Sequence, residues 1–327
     1  MGVTRELSPE HTDVVRRRGW EALRAWSPSA RTMRQLAVSL LCANIVLVVT
    51  GGAVRLTGSG LGCPTWPRCT SRSFVAHDAL GVNGFIEFGN RMLTFVLAAL
   101  ALATWIAALR LRPVRRSVRW LATGVLLGIP TQAVLGGITV LTSLNPWVVS
   151  LHLLLSLAII AVAVRLLLRL DEPETSPVTV VPAAVAWLTR ATYGAVWLVL
   201  YVGTVVTGSG PHAGSRAAPR NGLSPATVSQ LHADLVFLLI GLTAGTWLAL
   251  RAADGPSVAQ RAARWLLGIE LAQGLVGFVQ YATDLPVVLV AVHVLGAACI
   301  SATAAWLLFS IREPQQRLVV DRRAAAA

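Results

Sequence analysis

The chain has 327 residues, of which 55% are hydrophobic and 13% charged, and its mean hydropathy is positive. A water-soluble protein of this length needs more polar surface than that to cover its core. The formal charge of +13 does not point to nucleic acid, because it comes from arginines gathered between long apolar runs, with no nucleic-acid-binding motif beside them.

Residues 1–34 are polar, with Arg16, Arg17, Arg18, Arg24 and Arg31 and no short apolar core ahead of a cleavage site. They read as a cytoplasmic tail, not a signal peptide. An N-terminal half follows over residues 35–170, with spans expected near Leu36–Val54, Phe85–Leu109, Trp120–Leu141 and Trp147–Leu168. Each is close to the roughly 20 apolar residues that cross a bilayer. Residues 171–186, with Asp171, Glu172, Pro173, Glu174 and Pro177, form a cytoplasmic linker. The C-terminal half, residues 187–311, has spans near Trp187–Val206, Val228–Leu250, Trp265–Tyr281 and Val287–Ile311, and residues 312–327 form a second cytoplasmic tail. Trp120, Trp147, Trp187 and Trp265 open four spans, where an aromatic belt sits. Arg110, Arg112, Arg115, Arg116 and Arg119 in one connection, and Arg251, Arg261 and Arg264 in another, place both termini on the cytoplasmic side of the cell membrane.

The two halves share landmarks in the same order. Thr57-Gly58-Ser59-Gly60 follows the first span and Thr207-Gly208-Ser209-Gly210 the fifth. Gln132 precedes His152 by the same interval as Gln273 precedes His293, and Asn90 matches His232 near the start of a span. The expected fold class is therefore an all-α membrane protein, eight transmembrane helices forming two pseudo-symmetric four-helix bundles. Asn90, His152, His232 and His293 all lie a few residues past the outer start of an even-numbered helix. Imidazoles at one depth between helices are a common way to hold heme iron. A single intramembrane histidine that merely pairs with a neighbouring helix is the plainer alternative. Arg55, Arg91, Arg216 and Arg220 are candidate partners for heme propionates.

Glu87 lies one turn before Asn90 on the same face. It reads either as a proton acceptor beside a substrate or as a partner of Arg91. Glu270, placed near the inner side, reads as a structural polar contact. Cys63 and Cys69 share one outer loop, where a disulfide persists, serving either as a staple or as a redox pair. Cys42 and Cys299 are expected to be packing residues, and His77 and His212 to be solvent-exposed.

The stretch Gly51-Gly52-Ala53-Val54-Arg55-Leu56-Thr57-Gly58-Ser59-Gly60-Leu61-Gly62-Cys63-Pro64-Thr65-Trp66-Pro67, with Glu87-Phe88-Gly89-Asn90-Arg91, resembles the heme A synthase family. The resemblance implies an oxidoreductase that converts a methyl group of heme O to the formyl group of heme A for aa3-type oxidase assembly. It implies a heme b cofactor between His232 and His293, substrate heme O on His152, and Glu87 as the catalytic carboxylate. Cys63 and Cys69 match the family's outer-loop pair. Heme O synthase is a candidate partner, alongside an electron acceptor and membrane lipid. The sequence departs from the family in holding Asn90 where many members have His, which leaves the first-half heme with His152 as its one matched ligand unless it borrows His77. A non-catalytic b-type heme protein, carrying electrons or heme, is the alternative reading.

Overall fold

The computed structural model describes residues 26–314. The expected tail residues His11, Arg16, Arg17, Arg18, Arg24, Arg317, Arg322 and Arg323 lie outside the described residues.

Among the described residues eight helices are long and apolar enough to cross a membrane. They are α1 (Ala30–Leu56), α2 (Gly81–Arg110), α3 (Arg116–Leu141), α4 (Pro146–Arg169), α5 (Ala183–Ser209), α6 (Pro225–Ala252), α7 (Ser257–Ala282) and α8 (Val287–Ser310). Local chemistry sets several starts. Ser29, Asn145 and Ser224 each accept a hydrogen bond from a backbone N–H of the first turn, and Pro146 and Pro225 open their helices. Helices also begin ahead of their apolar runs where arginine stems lie along the helix while their heads reach water. The largest such difference is α7, which starts at Ser257 instead of Trp265 and carries Arg261 and Arg264 in its first turns. Glu270 therefore stands halfway along its span and not near the inner side.

The neighbour relations form two sets. Helix α1 packs on α2, α2 on α3, α3 on α4 and α4 on α1, and α5 to α8 follow the same cycle. The sets meet through α1 and α4 against α8, and α4 against α5. Turns repeat as well. Ser143-Leu144 and Asp284-Leu285 all take positive φ, and each pair is closed by a 2.7 Å bond, Leu144 N–H to the Thr139 carbonyl and Leu285 N–H to the Gln280 carbonyl.

The two largest apolar clusters lie towards the end of the bundle that carries the termini. One joins Met33, Leu40, Ala108, Val118 and Leu166, and the other joins Leu157 and Ile160 of α4 with Leu250, Leu266 and Leu307. Towards the loop side this packing stops. No residue is buried over 88–96 on α2, 151–156 on α4, 229–238 on α6 or 287–295 on α8. Each of these stretches contains one of the four repeat-matched residues Asn90, His152, His232 and His293, the slot residues.

A short ribbon at the terminus side is not signalled by any pattern in the sequence. Strand β1 (Pro177–Thr179) pairs antiparallel with β2 (Arg312–Pro314), with Val178 opposite Glu313. The linker ahead of β1 is pinned. Arg165 donates to both oxygens of Glu172 at 2.6 and 2.8 Å, and Arg169 donates to Glu172 at 2.8 Å. Arg115 donates to the carbonyls of Arg169, Leu170 and Glu172.

Partial burial pushes the Glu172 carboxyl up, but the hydrogen bonds and charges of Arg165 and Arg169 outweigh it and hold the group below the usual carboxylate range. A lowered folded-state pKa stabilises the fold above the unfolded value, about 4.3 for Glu, and that contribution disappears as pH falls through the folded value. Glu172→Gln is accordingly expected to lower the melting temperature at neutral pH and to converge with the parent in acid. Thermal unfolding in detergent across pH checks this, and parallel curves would refute it.

Candidate functional site

The four slot residues share a local construction. Each faces a glycine on the preceding helix. A Cβ built on Gly203 would stand 3.0 Å from His232 Cε1, on Gly136 3.3 Å from His152 Cε1, on Gly277 3.8 Å from His293 Cε1, and on Gly51 3.9 Å from Asn90 Nδ2. The glycines let the imidazoles lie close against a neighbouring backbone, which fixes their position. Gln132 adds a brace in the first half, donating to the His152 carbonyl at 3.0 Å and to Ser156 Oγ at 2.8 Å.

The structure brings His232 and His293 together, with ring centroids 6.5 Å apart and planes at 70°. Two nitrogen–metal bonds of about 2 Å, with each ring centre about 1 Å behind its nitrogen, span about 6 Å. The pair is thus spaced to sit on opposite sides of one metal centre. Nδ1 of His152, His232 and His293, and Oδ1 of Asn90, are buried without a hydrogen-bond partner. Among the described residues no group of three or more His, Cys, Asp or Glu side chains converges to hold a bare ion. A structural zinc takes four ligands and a catalytic one three from the protein. Two facing imidazoles in apolar surroundings fit an iron whose other ligands come from a macrocycle.

Next to the Asn90 slot the chain builds something the second half lacks among the described residues. Cys63 and Cys69 form a disulfide, and both are fully buried. The loop they close lies on α2 because Gly62 has no Cβ, which would fall 2.2 Å from the Asn83 carbonyl oxygen. Glu87 is 6% exposed and accepts from the Cys63 N–H at 2.8 Å and from Arg91 at 2.5 Å. Arg91 also donates to the carbonyls of Cys63 and Thr65, at 3.1 and 3.2 Å. The acid is therefore both paired with Arg91 and anchored to the disulfide loop. At the matching places of the second half stand Ser229 and Ala233.

The other expected residues divide. Arg55 donates to the carbonyls of His212 and Thr207, at 2.5 and 2.9 Å, and Gly60 N–H to the Gly214 carbonyl at 2.9 Å, so the loops of the two halves are tied together. His212 is not solvent-exposed as expected. It is half-buried, with Nε2 2.9 Å from the Leu285 carbonyl oxygen, because the paired loops enclose it. Arg220 donates to the carbonyls of Ala218 and Pro211, whereas Arg216 and His77 are exposed. Cys42 faces outward from α1 and is not a packing residue, while Cys299 is half-buried. Sequence reasoning missed the slot glycines, although Gly136 and Gly277 keep the same interval to His152 and His293 as each other, just as the two glutamines do.

The sequence pattern of the COX15-CtaA family, cytochrome oxidase assembly protein, matches residues 34–222, which include the disulfide loop, Glu87, Asn90 and His152. The chain belongs to this family. It is 32% identical over 146 residues to a heme A synthase of Bacillus pumilus, covering 44% of this chain and 47% of that protein. It is 27% identical over 180 residues to a heme A synthase of Shewanella oneidensis, covering 50% and 52%. A heme A synthase of Symbiobacterium thermophilum is 25% identical over 258 residues, covering 74% and 83%. With the Bacillus and Shewanella proteins the chain spans about half the length of the relative. The COX15-CtaA match ends before His232 and His293, so their pairing stands on the structure and the internal repeat.

The glycine spacings grade the expected effects of substitution in this COX15-CtaA member. Gly203→Ala forces its Cβ to 3.0 Å from His232, tighter than an ordinary contact, whereas Gly277→Ala leaves 3.8 Å to His293. Overpacking of this kind costs about 1–3 kcal/mol. Should His232 and His293 hold a heme, Gly203→Ala is expected to lower bound heme per polypeptide several-fold, with Gly277→Ala close to the parent. Equal heme content in the two purified variants would refute the graded effect.

Proposed function

We propose that the chain is a heme A synthase that oxidises the methyl group of heme O to the formyl group of heme A. In this reading residues 35–170 form the substrate half and residues 187–311 the cofactor half, two four-helix bundles joined by the linker at 171–186. The observation that carries it is the asymmetry between halves: a buried carboxylate held between Arg91 and the Cys63 loop stands one turn from the Asn90 slot, and Ser229 and Ala233 take the places of Glu87 and Arg91 in the other half. The second half is furnished to hold a heme and the first to work on one.

His232 and His293 would ligate heme b, which supplies one-electron redox chemistry when bound. His152 would position substrate heme O. Turning a methyl into a formyl group with the oxygen of water releases four electrons and four protons, and the Glu87 carboxylate is placed to accept those protons in turn. Arg91 keeps its carboxylate oriented, and the disulfide keeps the loop against α2. Arg55, Arg91 and Arg220 are engaged with backbone carbonyls, so the loop framework they brace, together with exposed Arg216, would meet the propionates. Electrons leave to an acceptor outside the chain, and heme O synthase is the partner this reading implies as the source of substrate.

The protein is multi-pass. We place it in the cell membrane with both termini cytoplasmic, because Arg110, Arg112, Arg115, Arg116, Arg119, Arg251, Arg261 and Arg264 lie on the terminus side against Arg55, Arg68, Arg72, Arg91, Arg216 and Arg220 on the other. Both heme sites then lie towards the outer leaflet.

The experiment is expression in a host that makes heme O but no heme A, followed by extraction and chromatographic separation of the hemes. Heme A in the extract supports the synthase. Bound heme b with no heme A favours the carrier reading, which draws on the Glu87–Arg91 pair being a static anchor.

A further inference from the structure

The proposed reaction leaves one buried acid unused. Glu270 is 2% exposed and halfway along α7. One carboxyl oxygen accepts from Thr243 Oγ1 at 2.9 Å, and the other, Oε2, is buried without a partner. The helices packed on α7 are α6 and α8. Their titratable groups are His232, Asp234 and Arg251 on α6, and His293 and Cys299 on α8. Asp234 and Arg251 are exposed, as are Arg261 and Arg264 on α7 itself, so among the described residues no cation is paired with the carboxyl. An intramembrane acid with no counter-charge is expensive to keep and marks function more often than structure.

The fold does not require it. The matching places of the first half hold Ile129 for Glu270 and Ala101 for Thr243, both buried and apolar. Its position relates it to the histidine pair instead. Glu270, Gln273 and Gly277 follow one another on one face of α7, and Gly277 abuts His293. Seven residues of rise put the carboxyl about 10 Å from the level of the His293 ring. On its other side a row of buried hydroxyls leads away. Thr243 and Thr246 share a face of α6, Thr246 Oγ1 lies 2.7 Å from Thr192 Oγ1, and Thr189 is one turn further along α5. The row descends towards the terminus side on both helices.

We propose that Glu270 is the proton-accepting partner of the heme held by His232 and His293: each electron that reaches the iron is matched by a proton drawn to the Glu270 carboxylate along the threonine row. The proton leaves by the same row when the electron passes to an external one-electron acceptor. Charge balance is the cause, since an added electron makes the site more negative and a proton about 10 Å away in an apolar interior offsets it. The inference rests on the heme b reading of the second half and deepens it.

The test is a redox titration of the purified holoprotein and of Glu270→Gln, with chemical mediators, followed at the heme absorbance across pH. The parent midpoint is expected to fall as pH rises, and the Gln variant to lose that part of the slope. Any slope common to both belongs to other groups, such as propionates. In reduced-minus-oxidised infrared difference spectra, a carboxyl band is expected in the parent and absent in Glu270→Gln. Thr243→Val, which keeps the acid but removes its donor, is expected to shift that band, and it replaces Glu270→Gln as the readout if the Gln variant fails to fold. Superimposable midpoints at every pH with no carboxyl band would overturn the proposal while leaving the heme b reading intact. A parent protein with no heme on the second half would overturn both.

Discussion

Glu87→Gln is expected to lower heme A formation by about 10²–10⁴-fold, the usual worth of a positioned acid or base, while leaving heme on the second half undisturbed. The substitution separates the proposed proton transfer from the observed anchoring of the loop. Gln keeps the length of the side chain, and its carbonyl oxygen can still accept the Cys63 N–H that Glu87 accepts at 2.8 Å. Arg91 keeps its bonds to the Cys63 and Thr65 carbonyls, so the disulfide loop stays on α2. What disappears is the charge, the capacity to take a proton and the 2.5 Å bond that Arg91 donates to the second carboxylate oxygen. Glu87→Ala would remove both, and any loss there would mix loop disorder with chemistry. Heme extraction from cells expressing Glu87→Gln, with the absorbance of the purified protein recorded alongside, makes the measurement. Unchanged heme A with Gln at 87 would reduce Glu87 to an anchor for the loop and return weight to the carrier reading.

The elements legible in the sequence are those that lipid dictates. A span must be apolar for its whole length, so eight runs correspond to eight helices, and a polar residue inside one is conspicuous; His152, His232 and His293 stand out that way. Helix ends are less legible, because arginines continue a helix into the headgroup region without breaking it, and starting α7 at Trp265 misplaces Glu270. Contacts between remote loops leave no local trace. The tie from Arg55 to the His212 carbonyl joins residues far apart in the chain, as does the pairing of Val178 with Glu313. The slot glycines are hidden for a different reason. These helices are rich in glycine, and only a neighbouring ring distinguishes Gly203 from Gly194, which has nothing within 4 Å of its Cβ position.

His293→Ala is expected to abolish the six-coordinate heme signal of the second half and to lower heme retention by at least about tenfold, since even outer partners of metal ligands are worth about 10–100-fold. Rings 6.5 Å apart are spaced for the proposed paired ligation, and with one removed the site would keep a single imidazole. The absorbance should move from the sharp bands of a bis-imidazole heme to the broader bands of a five-coordinate one. His152→Ala should leave those sharp bands in place and remove heme A instead. The first half offers the converse. Asn90 occupies the place of His232 in the repeat, and its Oδ1 has no partner, so Asn90→His should add a second imidazole facing the substrate heme and convert that site towards the geometry of the second half. Carbon monoxide distinguishes the two states, because it binds reduced heme only where a coordination position is open. The parent is expected to bind it at the first-half site, Asn90→His to lose that binding, and His293→Ala to gain it at the second. Binding that is the same in all three proteins would mean that these slots do not set the coordination, and the assignment of His232 and His293 as paired ligands would have to be abandoned.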